Sequence, residues 1–254
     1  MALFNDGPLS STLDLQNTES GILNVASTEG IDLTGKLALA QGAIANDLVL
    51  FLLRRLTVRD GQWNLRRTRG TCDVVVTPPL KQWHVHKSLS MVYRDAYNNQ
   101  LNDRYLNKWN EYEKLAKGSQ EIYLQIGVGL VADPLPKPAG PFLSAVTGPG
   151  AAATYYIAVT WVNAAGQESA PSDTTSIASL DGQQIVIAVT SAPANAAGWN
   201  AYAGQAPDGL GLQNDVPLSI GASYALSALQ IGPNAGDGQK PTWFFIDHRV
   251  IERG

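Results

Sequence analysis

The sequence predicts an α+β protein of two domains, in which a helical bundle precedes a β-sandwich. Between residues 31 and 131, apolar residues recur every three or four positions, the period of a helix with one buried face. After residue 141 the pattern becomes alternation of β-branched and aromatic residues, which favours strands. The two patterns are separated by VADPLPKPAGP, whose four prolines favour an extended connection.

The charge distribution supports the same division. From Pro141 onward the chain has three basic residues and eight acidic ones, whereas acids and bases nearly balance before that point. We therefore expect an extended N-terminal arm over 1–30, a helical domain over 31–131, a proline-rich linker over 132–140, a sandwich over 141–231 and a C-terminal extension over 232–254. The arm is expected to be poorly structured because Ser, Thr, Asn, Asp and Gly dominate it.

The first predicted helix begins after Asp32, a good N-cap residue. Its predicted buried stripe consists of Leu37, Ala40, Ile44, Leu48 and Phe51. Four further leucines widen this stripe toward the far end of the helix and predict burial there on most sides: Leu50, Leu52, Leu53 and Leu56.

Two more helices are predicted between Thr77 and Gly129. The first begins at Thr77-Pro78-Pro79, since proline is accepted in a first turn, and the Asn98-Asn99 pair is the expected joint. Its predicted stripe is Val85, Leu89, Val92 and Ala96. The stripe of the second helix is Leu101, Tyr105, Trp109, Tyr112, Leu115, Ile122 and Ile126.

Strands are predicted over 154–162, 185–190, 198–203 and, more weakly, 223–226. The chain then continues through GPNAGDGQK, expected to be a flexible spacer, into PTWFFIDHRVIERG. This last segment is too apolar for a free tail, so we expect it to occupy a sheet edge or groove on its own chain or on a neighbour. The candidate inter-subunit docking residues are Trp243, Phe244, Phe245, Ile246, Val250 and Ile251.

Six arginines lie close together around a predicted Asp60-Gly61 hairpin turn, with Asp60 as the only acid among them. Two interpretations stay open: a solvated surface hairpin, or contact with a phosphate backbone or an acidic protein rim. The candidate contact residues for such a partner are Arg54, Arg55, Arg59, Arg66, Arg67 and Arg69.

The sequence contains none of the common motifs for catalysis or metal binding. His84 and His86 stand two apart in a predicted helix, where they point to different faces, and Cys72 has no partner pattern for thiol catalysis. No phosphate-binding loop, dinucleotide fingerprint, GxSxG elbow or HExxH motif occurs. The sequence therefore predicts a protein that is not an enzyme and uses no metal or cofactor. No signal peptide is visible, and the apolar run from Leu48 to Leu53 is too short to span a bilayer, so no membrane contact is expected.

Two stretches resemble known families. The run TYYIAVTWVNAAGQESAPSD resembles fibronectin type III-like and related immunoglobulin-like modules, and GWNAYAG resembles the following strand in versions found on phage structural proteins. The helix DRYLNKWNEYEKLAKGSQEIYLQIGVG, with the earlier helix-to-arginine segment and the TPPL start, resembles the head-to-tail connector (adaptor) proteins of tailed bacteriophages over residues 20 to 130.

The second resemblance implies a structural virion protein at the portal vertex, or neck, assembled in the host cytoplasm. In that family a homo-oligomeric ring, a dodecamer, lies below the portal protein and extends the DNA channel toward the tail. The implied partners are other copies of the chain, the portal protein, a tail or head-completion protein and, without base specificity, packaged DNA. The alternatives are a tail or baseplate protein whose sandwich binds a host glycan or another tail protein, and an accessory binding module of a cell-wall enzyme.

Overall fold

The polypeptide divides into two units, each assembled from two separate stretches of the chain. The structure, a computed structural model, describes residues 2–56 and 70–246, with the side chains of 54–56 left out. The helical unit comprises Gly7–Leu130 with Pro241–Gly254, and the β unit comprises Met1–Asp6 with Val131–Lys240. Within the described residues, five α-helices in the N-terminal half precede antiparallel sheets, so the predicted α+β class is confirmed.

The first thirty residues contain two helices where an extended arm was expected. Helix α1 spans Thr12–Thr18 and helix α2 spans Ile22–Glu29. A capping box starts α1: the Ser11 hydroxyl accepts from the Asp14 amide, and the Asp14 carboxylate accepts from the Ser11 amide. Leu15 and Ile22 are fully buried, and this burial stabilises helices that are short and polar in composition.

The three long helices follow as α3 (Leu33–Leu56), α4 (Pro78–Gln100) and α5 (Asp103–Ile126). The Asp32 carboxylate accepts from the Thr34 amide at the predicted start of α3, and α4 begins after Thr77 with its two prolines in the first turn. The joint between α4 and α5 lies at Leu101-Asn102 and not at Asn98-Asn99. Leu101 adopts a left-handed conformation with φ of 52°, and the Asn102 side chain caps α5.

The buried rows of α3 and α4 match the predicted stripes, but that of α5 is rotated. Leu37, Ala40, Ile44 and Leu48 are buried, as are Val85, Leu89, Val92 and Ala96. In α5 the buried residues are Tyr112, Ala116, Ser119 and Tyr123, so Tyr112 is the one member of the predicted stripe that lies in the buried row. Aromatic contacts fill this core, with the rings of Tyr93 and Tyr112 stacked at 5.6 Å between centroids.

A short sheet closes the helical unit. Strand β1 (Val128–Leu130) pairs antiparallel with β9 (Trp243–Phe245), and the Val75 amide donates to the Gly129 carbonyl on the opposite side of β1. A Cβ on Gly129 would lie 2.9 Å from Cγ of Pro241, so the absence of a side chain there permits the close approach of the C-terminal segment. The described end of the predicted C-terminal extension, from Pro241 to Ile246, therefore belongs to the helical unit.

The β unit contains two antiparallel sheets. The three-stranded sheet has the order β2-β5-β8 and the four-stranded sheet has the order β4-β3-β6-β7. The strands are β2 (Phe142–Thr147), β3 (Ala153–Asn163), β4 (Thr175–Ser179), β5 (Gln183–Ala188), β6 (Ala196–Gly204), β7 (Gly211–Leu212) and β8 (Tyr224–Leu226). Residues of both sheets share one core, including Trp161 on β3, Ile187 on β5 and Trp199 on β6.

The expected linker and spacer are packed against the β unit. Leu135, from the proline-rich stretch, is fully buried in the β core. Its amide donates to the Gln239 side chain over 2.6 Å, and the Gln239 amide group donates to the Asp133 carbonyl over 2.9 Å. Pro233 accepts from the Leu212 amide. The proline-rich stretch and the expected spacer are therefore anchored in the β unit at Leu135, Pro233 and Gln239 by burial and hydrogen bonds.

Candidate assembly interface

The outward side of α3 is apolar, contrary to the prediction that its far end is buried on most sides. Leu52 is buried, but Leu50 and Leu53 are exposed, as are Leu39 and Val49. We name Leu39, Gly42, Val49 and Leu50 the α3 outer face. Leu39 is 59% exposed and Leu50 is 50% exposed, so water covers large aliphatic side chains on this side of α3. Asn46 is exposed on the same side, and Asp47 is exposed one turn before Leu50.

Helix α3 is long and apolar enough over Leu33–Leu53 to cross a membrane, a longer stretch than the run Leu48–Leu53, and 28% of it is buried. Core helices of soluble proteins share this length and composition, and the row Leu37, Ala40, Ile44 and Leu48 packs inside the helical unit. The apolar character of α3 therefore has two parts, a row that its own unit buries and an outer face that the described residues leave exposed.

A second exposed apolar row lies on α5. Leu115, Ile122 and Ile126 belong to the predicted stripe but are 42%, 56% and 50% exposed. We name them the α5 stripe. Ala116, Ser119 and Tyr123, on the adjacent side of the helix, lie in the core instead. The hydroxyl of Ser119 contacts Nδ1 of His86 at 2.8 Å, and this buried pair explains why a polar residue occupies the core row.

The predicted inter-subunit docking residues are partly described. Trp243, Phe244 and Phe245 form β9 on β1 of the same chain, and Phe245 meets Phe51 with ring centroids 5.7 Å apart in an edge-to-face arrangement. Trp243, Phe244 and Ile246 keep exposed apolar surface. The segment thus occupies a sheet edge on its own chain, one of the two expected arrangements. Val250 and Ile251 lie outside the described residues.

Most residues of the arginine cluster lie outside the described residues. Arg54 and Arg55 belong to the last turns of α3, and their side chains are not described. Arg59, Arg66, Arg67 and Arg69 lie outside the described residues, as does the predicted Asp60-Gly61 hairpin. The interpretation of this cluster therefore stays a prediction.

The side chains of His84 and His86, both on α4, contact different neighbours. Nε2 of His84 donates to the Leu37 carbonyl over 2.9 Å, so Nδ1 accepts from the Ser10 hydroxyl at 2.6 Å in the neutral ring. His86 contacts Ser119 on α5. Burial lowers the pKa of both rings below its ordinary value, although hydrogen bonds to the carbonyls of Leu37 and Leu115 oppose this shift. In residues 2–56 and 70–246, no three His, Cys, Asp or Glu side chains are grouped for a metal.

Other polar clusters are paired internally. A cleft of about 350 Å³ is lined in part by Glu19, Arg104 and Lys108, and the Glu19 carboxylate accepts from Lys108 and Tyr112. In the β unit, Glu168 Oε1 accepts from Thr160, from Asn200 at 2.9 Å and from Tyr202 at 2.7 Å. Burial and the Glu168 hydrogen bond raise the pKa of Tyr202. The carboxylates of Glu19 and Glu168 therefore hold neighbouring elements together through the hydrogen bonds that they accept.

Cys72 is an exposed thiol beside Asp73. Burial, followed by the nearby Asp73 charge, raises the pKa of the Cys72 thiol, which disfavours the nucleophilic thiolate. Within the described residues, the surfaces that stand out are therefore apolar and outward-facing. Comparison of the chain with protein-family models, curated proteins and solved structures finds no match.

Proposed function

We propose that this chain is a structural adaptor of a tailed-bacteriophage virion, which forms a ring below the portal and extends the DNA channel to the tail. The observation that carries the proposal is the α3 outer face, a row of exposed aliphatic side chains on a helix of 24 residues. Such a surface is expected on a subunit that packs against neighbouring subunits, because burial against another chain removes apolar area from water. The resemblance of residues 20 to 130 to head-to-tail connectors supplies the class.

The β unit is proposed to be an immunoglobulin-like or fibronectin type III-like sandwich. Support comes from two antiparallel sheets whose residues share one core and from the aromatic pair Trp161 and Trp199 within it. In the adaptor this unit forms an outward decoration or an additional contact layer. Because the same fold carries many roles, the assignment of function rests on the helical unit.

The proposed partners are other copies of the chain, the portal protein and a tail or head-completion protein. Packaged DNA is a further partner. The portal protein or this DNA is proposed to contact the arginine cluster, since arginine pairs bidentately with phosphate and carboxylate groups; the cluster comprises Arg54, Arg55, Arg59, Arg66, Arg67 and Arg69. Catalysis, a metal and a cofactor have no part in this function, and the place of action is the virion neck after assembly in the host cytoplasm.

Electron microscopy of the purified chain, alone and mixed with the portal protein of the same virus, tests the proposal. We expect rings of twelve subunits that bind the portal coaxially. A chain that stays monomeric at high concentration and does not bind the portal would contradict the adaptor role. Changing Arg66, Arg67 and Arg69 to Gln tests the charge contact separately, and salt-sensitive DNA binding that survives this change would exclude the cluster as its source.

The alternative is a tail or baseplate component in which the β unit binds a host glycan or another tail protein. Strand β2 favours it, because β2 is an edge strand with Phe142 66% exposed and Val146 also exposed. Symmetry distinguishes the two functions, since particles with three or six copies indicate the tail and rings of twelve indicate the portal vertex.

A further inference from the structure

Asp-Gly bonds can rearrange to isoaspartate without an enzyme, and the sequence contains five of them. Because glycine has no side chain, its amide nitrogen is unshielded and its backbone rotates freely, so this nitrogen can reach the carboxyl carbon of the preceding aspartate. Asp60-Gly61 lies outside the described residues. The other four bonds are Asp6-Gly7, Asp181-Gly182, Asp208-Gly209 and Asp237-Gly238, and their hydrogen bonds differ.

The carboxylate of Asp6 is held on both oxygens. Its Oδ2 accepts from the Leu3 amide over 2.7 Å, and its Oδ1 accepts from the Lys137 amide over 2.8 Å. The rearrangement protonates this group and removes one of its oxygens, so at least one of the two hydrogen bonds must break first. Hydrogen bonds to a charged group are the stronger ones, and the fold therefore restrains the reaction at Asp6.

At two further bonds the glycine amide is engaged. The Gly182 N–H donates to the Gly150 carbonyl over 3.0 Å, and the Gly209 N–H donates to the Ala206 carbonyl over 3.2 Å. Attack uses this nitrogen and releases its proton, so the hydrogen bond must be lost before the new bond forms. The aspartates of both bonds are exposed, so the protection comes from the engaged amide and not from burial.

The Asp237-Gly238 bond has neither restraint. Asp237 is exposed, and no residue in the described ranges 2–56 and 70–246 hydrogen-bonds to its carboxylate or to the Gly238 amide. Gly238 has φ of 102°, a conformation that residues with a side chain rarely adopt. The backbone at this position thus requires the glycine that makes the bond reactive.

We propose that Asp237 converts spontaneously to isoaspartate in the folded chain, whereas Asp6, Asp181 and Asp208 are protected. The Gly238 nitrogen attacks Cγ of the protonated Asp237 carboxyl group, and water leaves, made of the carboxyl hydroxyl and the amide proton. Water then adds to the main-chain carbonyl carbon of Asp237 in the resulting succinimide, and the bond from that carbon to nitrogen breaks. The main chain now runs through Cβ and Cγ, with no net change in atoms or electrons. Only the chain and water take part, so the proposal is independent of the adaptor role.

Isoaspartate at position 237 lengthens the main chain by one carbon atom, two residues before Gln239. The Gln239 side chain is buried, accepts from the Leu135 amide over 2.6 Å and donates to the Asp133 carbonyl over 2.9 Å. A close-packed interior has little room for such a change. We therefore expect weaker hydrogen bonds at Gln239 and faster exchange of the Leu135 amide proton with solvent.

Peptide mapping of the aged chain tests the proposal. The full chain is incubated at 37 °C and pH 6 and digested with pepsin, and isoaspartate in each peptide is measured by methylation with isoaspartate methyltransferase. We expect the isoaspartate fraction at Asp237 to exceed that at each of the other three positions by about fivefold or more, the factor that one net hydrogen bond gives. In urea, where these hydrogen bonds are lost, the four bonds should react at similar rates.

Asp237→Glu is the matched variant, because it keeps the charge but its longer side chain would have to close a six-membered ring. It should remove the isoaspartate signal from its own peptide, whereas Asp208→Glu should leave the signal at Asp237 unchanged. Nuclear magnetic resonance should show faster exchange at the Leu135 amide in the aged parent chain than in the aged Asp237→Glu variant.

Equal isoaspartate fractions at the four bonds of the folded chain would overturn the proposal, because the hydrogen bonds would then give no protection. A fraction at Asp237 that is no higher than at Asp6 would overturn it as well. Isoaspartate confined to Asp237 without faster exchange at Leu135 would support the modification site and refute its effect on Gln239.

Discussion

Tyr112 on α5 donates its hydroxyl to the carboxylate of Glu19 at the end of α1, with 2.8 Å between the two oxygens. Lys108 Nζ lies 2.9 Å from the same Oε2 atom. Burial tends to raise the pKa of Glu19, but the hydrogen bonds from Lys108 and Tyr112 outweigh it and hold that pKa below its ordinary value. Ninety-three residues separate the two partners in sequence, so this contact fastens the N-terminal helices to the long helical pair.

Glu19→Gln is expected to lower the unfolding free energy of the helical unit by about 1–2 kcal/mol, since charged hydrogen bonds are the stronger ones. The Glu19 pKa is lower in the folded state, so its contribution is complete above the unfolded pKa and disappears as pH falls through the folded pKa. Urea unfolding at pH 7 and pH 3 should show a larger variant effect at the higher pH. An equal effect at both would assign it to packing.

His84 is expected to make the helical unit sensitive to mild acid. Its folded pKa is lowered by burial, so the unfolded state binds the proton first, and stability falls as pH decreases from about 6.5 toward the folded pKa. The slope is at most about 1.4 kcal/mol per pH unit for one histidine. Asp14, which interacts with His84, opposes the shift.

Unfolding measured between pH 7.5 and 5 checks this, with His84→Gln expected to flatten the slope. His86→Gln is the companion variant, because the pKa of His86 is also lowered by burial. A slope that neither change alters would mean that other groups are responsible.

The hydroxyl of Tyr123 is buried and has no hydrogen-bond partner in the described part of the chain. Tyr123→Phe removes this unpaired group and should raise the unfolding free energy by about 1 kcal/mol. Tyr112→Phe is the matched control, because its hydroxyl is bonded to Glu19 and its loss should destabilise. A clear loss of stability in Tyr123→Phe would instead indicate a bound water at the hydroxyl.

The tryptophans of the helical unit should differ in their contribution to stability. Trp83 is fully buried against Tyr123, so Trp83→Ala is expected to cost about 3–5 kcal/mol. Trp109, at the centre of the row that the sequence predicts to be buried on this helix, is only partly buried beside Tyr97. Trp109→Ala should therefore lower the unfolding free energy by about half as much. Equal losses in chemical denaturation would show that Trp109 belongs to the core after all.

Removing residues 241–254 should lower the stability of the helical unit by about 2 kcal/mol, because β9 covers β1, where Val128 and Leu130 are buried. Gly129→Val crowds Pro241 and should destabilise the full chain but not the shortened one. If the shortened chain keeps its stability and loses only self-association, the segment serves a neighbour instead of its own unit.

Local sequence patterns are enough to predict the α+β class, the buried rows of α3 and α4, the start of α4 at Thr77 and the long strand β3. These features follow from local rules, since period, proline and capping chemistry act over a few residues. The Ser11–Asp14 capping box also marks the start of α1, although the polar composition of residues 1–30 predicted an extended arm.

Which apolar rows are buried depends on tertiary packing. The α5 helix offered several overlapping rows, and packing against His86 and Tyr93 selected the one with Ser119 and Tyr123, leaving Leu115, Ile122 and Ile126 outside. The docking of Leu135 and of β9 likewise depends on residues about a hundred positions away. Periodicity states that a helix has an apolar face, but burial is a property of pairs of surfaces, and the chain must fold before those pairs exist.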